Sequence, residues 1–489
     1  MDNLPHSLLL QILSRLNDSA DVARCRVASK AFNTVYPGLR SINLRCSMKW
    51  YINSNSLTKP FKSVFLDLIS KLETVESVCV DLDRPILSFD RENDDFYLTD
   101  ADFAKDWLPR VSGSLKSVSL SDYSSHRQSH LLQLISAYFA DIERTSPALL
   151  TPQSHNLVNL KLKCAWLSVA NLNPMPMLTS LTLECTELED EHLNEFSKGF
   201  PNLQVLNLVG VRGLRNPKIH LHNLKTCVLA VYVFLPSLTL ITPNLMTLRI
   251  ECFMPASLHV KAPKLSHFHL GLNPVTTISP LLVDFLNSEN RVENLTLDSR
   301  IEEPRVVRDS KFILEKVFKV FPNVSSLCIS SGAWSELEAC LNPEGWESLD
   351  GSKGLKRICA YLTLFDPPLT FASIACVMDH CSGLSEVSFL IYDGDVGPES
   401  QSFMSKCLDR WPGLNWRWGI WGEDLEDTWI VDGTRVIDNL NEYERWFVPV
   451  CSSELNRTNK RKRIYKRTEF FVRVGSFEND ACLCLDNRA

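Results

Sequence analysis

Pro201-Asn202-Leu203-Gln204-Val205-Leu206-Asn207-Leu208-Val209-Gly210 decides the fold. From Leu203 it sets an aliphatic residue, two variable residues, an apolar one, a variable one and a second apolar one. The same frame starts at Leu157, Leu178, Leu224, Leu245 and Leu265, so the steps in chain order are 21, 25, 21, 21 and 20 residues. It continues at Val292, Val324, Leu355 and Leu384, with steps of 27, 32, 31 and 29 residues. Looser copies begin at Val75 and Leu115. Pro201-Asn202, Pro243-Asn244, Pro263-Lys264 and Pro322-Asn323 stand just before the frame, where a turn into a strand belongs. One copy is degenerate, but ten in order are a strong signal.

Each copy predicts one short strand followed by a return segment. Alternation along the strand turns positions one, four and six inward and positions three, five and seven outward. Position eight is often small (Cys164, Cys185, Gly210, Cys252), which extends the inward alternation. Short returns such as 211–223 and 250–264 contain Pro or Gly and cannot hold a long helix. Longer ones at 279–286, 310–321 and 371–381 have helical periodicity, as does 131–142. Residues 81–113 interrupt the period with an acidic insert, expected to be a solvated loop.

Steps of 20 to 32 residues in this frame resemble leucine-rich repeats. The resemblance implies an α/β repeat solenoid, its strands parallel and its returns irregular or helical. The outward positions would form a concave face for a target protein. The candidate contact residues there are Lys161, Lys163, Glu184, Asn207, Arg249, Glu251, His267, His269, Arg357 and Tyr361. They mix both charges and give no bias towards a strongly charged target.

The N-terminus reads differently. Leu4, Leu8, Leu9, Ile12, Leu13 and Leu16 recur at helical spacing, with Asn3 a candidate cap and Pro5 near the first turn. A second helix should start near Asp21 and a third at Ser29, ending before Pro37. Three short helices bury little surface alone and need something to pack against. The order Leu4-Pro5, Leu8, Ile12-Leu13-Ser14-Arg15-Leu16, Asp21-Val22, Arg24-Cys25, Val27, Ser29-Lys30, Phe32 resembles an F-box. Two positions depart from it: Gln11 stands where an acid is common, and Phe32 replaces a Trp. The resemblance implies docking to a Skp-type adaptor and, through it, a cullin–RING ubiquitin ligase. It assigns adaptor contacts to Leu4, Pro5, Leu8, Ile12, Leu13, Val22 and Val27, and helix packing to Leu16, Cys25 and Phe32.

Four parts follow: an F-box over 1–38, irregular repeats with the acidic insert over 39–114, the main repeats over 115–395, and a cap with a basic tail over 396–489. The cap holds Trp411, Trp416, Trp418, Trp421, Trp429 and Trp446, expected to close the open end of the solenoid. Six basic residues lie between Lys460 and Arg467, read as a loop or an import signal.

The net charge of -7 disfavours nucleic acid as a partner. No apolar run reaches the roughly 20 residues of a membrane span. No secretory signal is recognisable, so the expected compartment is the cytoplasm or nucleus, and the 16 cysteines are expected to be thiols. No nucleotide-binding, hydrolase or metalloprotease motif is present. Cys376, His380 and Cys381 lack a fourth ligand, so neither metal nor cofactor is expected. The leading reading is a non-catalytic substrate receptor of a ubiquitin ligase. A ligand-sensing receptor on the same scaffold, and a repeat scaffold with no ubiquitin role, are the alternatives.

Overall fold

The computed structural model describes residues 4–16, 18–47, 60–83, 94–122, 128–129, 132, 135, 156–167, 172–253, 257–273, 291–299, 314–340, 354–422, 425–431 and 434–437. The chain divides into two compact units, Met1–Ile437 and Asp438–Ala489, and every described residue belongs to the first. Trp446, the basic run and the predicted helix at 279–286 lie outside the described residues.

Three helices open the chain: α1 (His6–Ser14), α2 (Ser19–Ala28) and α3 (Lys30–Val35). Leu9, Leu13, Val22, Phe32 and Val35 are buried at their centre. Asp18 caps α2 by accepting the Ala20 N–H at 2.9 Å. The cap position of α1 is Pro5, and Asn3 lies outside the described residues. Ser29 stands at the cap position of α3 without a side-chain cap bond. The Ser19 hydroxyl accepts the Asn43 N–H at 3.1 Å, tying α2 to the first strand. The module therefore packs on the repeats and leaves another face outward.

A 16-stranded sheet runs through the unit, its neighbouring strands paired in parallel except for the last two pairings, which are antiparallel. In chain order these are β1 (Ser41–Ser47), β2 (Ser77–Asp83), β3 (Ser117–Ser121), β4 (Asn159–Lys163), β5 (Ser180–Glu184), β6 (Val205–Val209), β7 (Thr226–Phe234) and β8 (Thr247–Phe253). They continue as β9 (His267–Asn273), β10 (Asn294–Ser299), β11 (Ser326–Ile329), β12 (Arg357–Leu362), β13 (Glu386–Tyr392), β14 (Asn415–Gly422), β15 (Leu425–Val431) and β16 (Thr434–Ile437). The register follows the frames from strand to strand, with an irregularity between β7 and β8 after Ala230, where Phe234 comes to lie opposite Phe253. Position four runs Leu160, Leu181, Leu206, Cys227, Leu248 and Phe268 on successive strands. All six are at most 1% exposed, so this column is the spine of the core. Cys227 serves there as a small hydrophobe, its thiol pushed up to about 12 by burial.

Four features differ from expectation. The parallel array reaches β14, one strand past the last recognised frame, with Trp416 opposite Val387 and Trp418 opposite Phe389. Indole fills the place of leucine, and the two rings stack 5.5 Å apart against Phe389. The acidic insert also holds a helix, α4 being Phe61–Ser70 and α5 Ala101–Val111. Trp107 of α5 is fully buried and meets Phe65 of α4 edge-on at 5.4 Å. Within the insert, residues 101–111 are therefore the helical return of an early repeat rather than part of a solvated loop. The short returns pair as a second, three-stranded sheet of Lys218–His220, Ser237–Ile241 and Ser257–Lys261. Its strands bury Ile219, Leu240 and Leu258 from the other side of the core.

The fourth difference concerns position eight. Cys164, Cys185 and Gly210 have φ of 57°, 50° and 62°, so the chain leaves the strand there through a left-handed residue. Each N–H bonds to the next strand's carbonyl, for example Cys185 N–H to Val209 O at 2.7 Å. Side chains are small because the backbone turns, not because the alternation continues. Cys252 alone keeps the alternation, buried within β8.

Helices back the later strands: α6 (Leu314–Val320), α7 (Ser331–Cys340), α8 (Pro367–His380) and α9 (Pro398–Arg410). Gly332 lets α7 approach β10. A Cβ there would lie 2.2 Å from the Ser299 carbonyl oxygen. Gly332→Ala is expected to cost about 1–3 kcal/mol as overpacking, read as a lower denaturant midpoint at unchanged slope.

Candidate binding surfaces

The N-terminal module presents one apolar stripe. Leu4, just before α1, and Leu8 and Ile12 within it recur every four residues and are 38%, 45% and 40% exposed. Pro5 beside them is exposed, and Val27 at the end of α2 is 91% exposed. Leu13 and Val22, also expected among the contacts, are only 1% and 7% exposed and belong to the internal core. α1 is apolar on two faces, so periodicity alone could not tell the packed face from the presented one. Phe32 is buried, and Leu16 and Cys25 pack partly against the core, as expected of residues that hold the helices together.

Outward strand positions form the second surface. At its N-terminal end it is accessible and polar. Lys161 Nζ lies 2.6 Å from Glu184 Oε1, and Asn207 donates to Thr182 Oγ1 at 3.1 Å. Lys163 is half-buried beside them. Towards the middle the same row sinks from solvent. Arg249, Glu251 and His269 are 6%, 5% and 8% exposed, against the expectation of an open face. Arg249 donates to Glu251 Oε1, and His269 Nε2 lies 3.6 Å from that oxygen and 4.0 Å from Asp298 Oδ2. The Arg249 and Glu251 charges thus pair with each other in a buried setting. His267 points elsewhere, its Nδ1 2.8 Å from Ser266 Oγ and its Nε2 3.2 Å from Asn294 Nδ2. Burial lowers its pKa.

The C-terminal end of the row is closed. Arg357 is exposed at the start of β12, but Tyr361 at its other end is 7% exposed. The Tyr361 hydroxyl donates to Asp427 Oδ2 of β15 at 2.7 Å, and Trp421 meets the ring edge-on at 6.0 Å. Leu390 at an outward position of β13 is fully buried, as is Trp429 of β15, under the Arg417 guanidinium at 3.8 Å. Sequence reading missed Asp298, Leu390, Arg417 and Asp427. The last lies on an antiparallel strand outside the repeat frame.

Burial raises the Asp427 carboxyl above the ordinary carboxylate range, partly offset by the Tyr361 hydrogen bond. Burial likewise raises the Tyr361 phenol. For a carboxyl whose folded pKa is raised, the linked stability is complete below the unfolded value, about 3.9. It is lost as pH rises through the folded value. Asp427→Asn, which keeps an acceptor without charge, is expected to melt higher than wild type at pH 7. That gap should close on acidification towards pH 4, read from thermal melts across the range.

No helix among the described residues is long and apolar enough to cross a membrane. Residues 1–36 match the F-box-like family model. Across 463 residues the chain is 35% identical to an F-box/LRR-repeat protein of Arabidopsis thaliana, an alignment spanning 88% of this chain and 100% of that relative.

Proposed function

Because the chain belongs to the F-box/LRR-repeat proteins, we propose that it is the non-catalytic substrate-recognition subunit of a Skp–cullin–F-box ubiquitin ligase. The stripe of Leu4, Pro5, Leu8 and Ile12, with Val27, is the observation that carries this reading. Leu4 ahead of α1 and Leu8 and Ile12 within it, each more than a third exposed, are a face that gains by docking in an apolar groove. The module's other face is fixed to β1, so the docked adaptor is held in a set relation to the repeats. A target on the repeats is then held near the ubiquitin-loaded enzyme, and effective concentration does the work that a catalytic residue does elsewhere. The reading places the protein in the cytoplasm or nucleus.

Target contact belongs to the accessible N-terminal half of the strand face, around Lys161, Glu184 and Asn207, rather than to the buried Arg249, Glu251, His269 and Tyr361. The test is reconstitution of the full chain with a purified Skp-type adaptor and a cullin. Co-elution of all three in size exclusion, dependent on the adaptor, is the expected result. A chain that elutes alone beside an intact adaptor–cullin pair overturns the assignment.

A further inference from the structure

Phe365 is 98% exposed, in a chain whose other described phenylalanines are mostly buried. It follows β12 and precedes α8. Leu369, 40% exposed, lies in the first turn of α8, and Val396, 41% exposed, precedes α9 in the next repeat. A hydrogen bond from Leu364 N–H to Asp395 Oδ2 at 2.8 Å ties the two loops together. Parallel pairing of Leu362 with Ile391 sets them side by side, about 4.8 Å apart at the strand ends. The exposed apolar groups therefore share one rim, where the strands leave the sheet.

The rim is acidic throughout. Asp366, Asp393, Asp395 and Glu399 stand among the apolar residues, and the chain has no Lys or Arg from 358 to 405. The one histidine of that stretch, His380, ends α8, away from the loop that starts it. Among the described residues Asp366, Asp395 and Glu399 have no cationic partner; Asp366 and Asp395 each accept a backbone N–H instead. Next to the rim the strand face is closed, with Tyr361, Leu390 and Trp429 buried. At this end of the solenoid Phe365, Leu369 and Val396 of the loops are open to solvent, while those strand residues are covered.

We propose that this rim is a second target-docking site, taking a segment with a large apolar side chain flanked by lysine or arginine. Phe365 is the anchor, with Leu369 and Val396 beside it, and the carboxylates select the flanking charge. A single exposed apolar residue means little, but an aromatic with two aliphatic neighbours inside a like-charged ring is the composition of an interface hot spot. Charge of one sign excludes acidic segments and speeds the approach of basic ones.

The inference deepens the receptor reading, and its test is kept apart from it. The full chain is titrated into a labelled peptide with a Phe-Leu centre and two arginines on each side, read by fluorescence anisotropy. The same peptide with glutamates for arginines is the comparison. The basic peptide should bind at least about ten-fold more tightly, and Phe365→Ser should weaken it by at least about ten-fold. Glu399→Lys should weaken it less and flatten its salt dependence. Equal binding of the two peptides, or unchanged affinity in Phe365→Ser, overturns the proposal. So does concentration-dependent self-association of the wild type that Phe365→Ser abolishes, since the rim would then join two copies of this chain. Adaptor capture is measured on every variant. Its loss in the wild type would sink the receptor reading whatever the peptide does, and its retention leaves the peptide result to decide the rim alone.

Discussion

Replacing Leu13 by alanine is expected to unfold the N-terminal module, whereas replacing Leu8 is expected to leave it folded and unable to dock. The two leucines lie on different sides of α1, 1% and 45% exposed. Leu13 packs with Leu9, Val22 and Phe32 in the module's interior. Its truncation removes buried methyl groups and leaves a cavity, at a cost of about 2–5 kcal/mol. Three short helices have little stability to lose. Leu13→Ala should therefore lower helical signal at 222 nm and open the module to protease. Leu8→Ala touches no core contact and should stay within about 0.5 kcal/mol of wild type. Both variants should fail to bind the adaptor, for different reasons that the melt separates. If Leu13→Ala kept a wild-type melt while losing adaptor, Leu13 would be a contact residue after all.

The second large effect is expected at Arg249. This guanidinium and the Glu251 carboxylate are buried together on the strand face of β8, with His269 of β9 against the same carboxylate. Breaking such a pair on one side leaves a buried charge with lost compensation, at about 3–5 kcal/mol. Arg249→Ala should therefore destabilise the repeats strongly. The double change Arg249→Met with Glu251→Leu should recover much of the loss, because two apolar residues of similar volume leave no charge behind. A double-mutant cycle on denaturant midpoints measures this coupling. Arg249→Ala melting as wild type would mean that the pair is solvated and the face open there.

The repeat fold was legible because its period is set by backbone geometry and its core by two columns of aliphatic residues. Leu157 to Leu384 announced ten strands in register, and the structure pairs them as the frame requires. The frame failed where another residue type filled the same space. Trp416 and Trp418 do the work of leucines in β14, so a search for aliphatics stopped one strand early. At 101–111 acidic residues on the outer side hid an amphipathic helix whose inner side holds Phe103, Trp107 and Val111. Cys164, Cys185 and Gly210 were small for a dihedral reason that alternation cannot show.

The surfaces were less legible than the fold. Alternation correctly turned Lys161, Arg249, His269 and Tyr361 to one side of the sheet, but side and exposure are different quantities. Exposure depends on what lies over the side, such as β15 over Tyr361. In the F-box module the pattern gave the right helices, while the split between Leu8 and Leu13 needed the third helix and β1 in place. Phe365 carried no sequence signal, because an apolar residue in a loop looks like any other until its neighbours are known.

The most direct test is the affinity of the full chain for a purified Skp-type adaptor, by titration calorimetry, beside the triple variant Leu4→Ala, Leu8→Ala, Ile12→Ala. The account predicts a saturable one-to-one complex for the wild type. It predicts at least a hundred-fold loss in the variant, about 2.7 kcal/mol, with the melt unchanged. A wild type that does not bind, or a triple variant that binds as well, would contradict it.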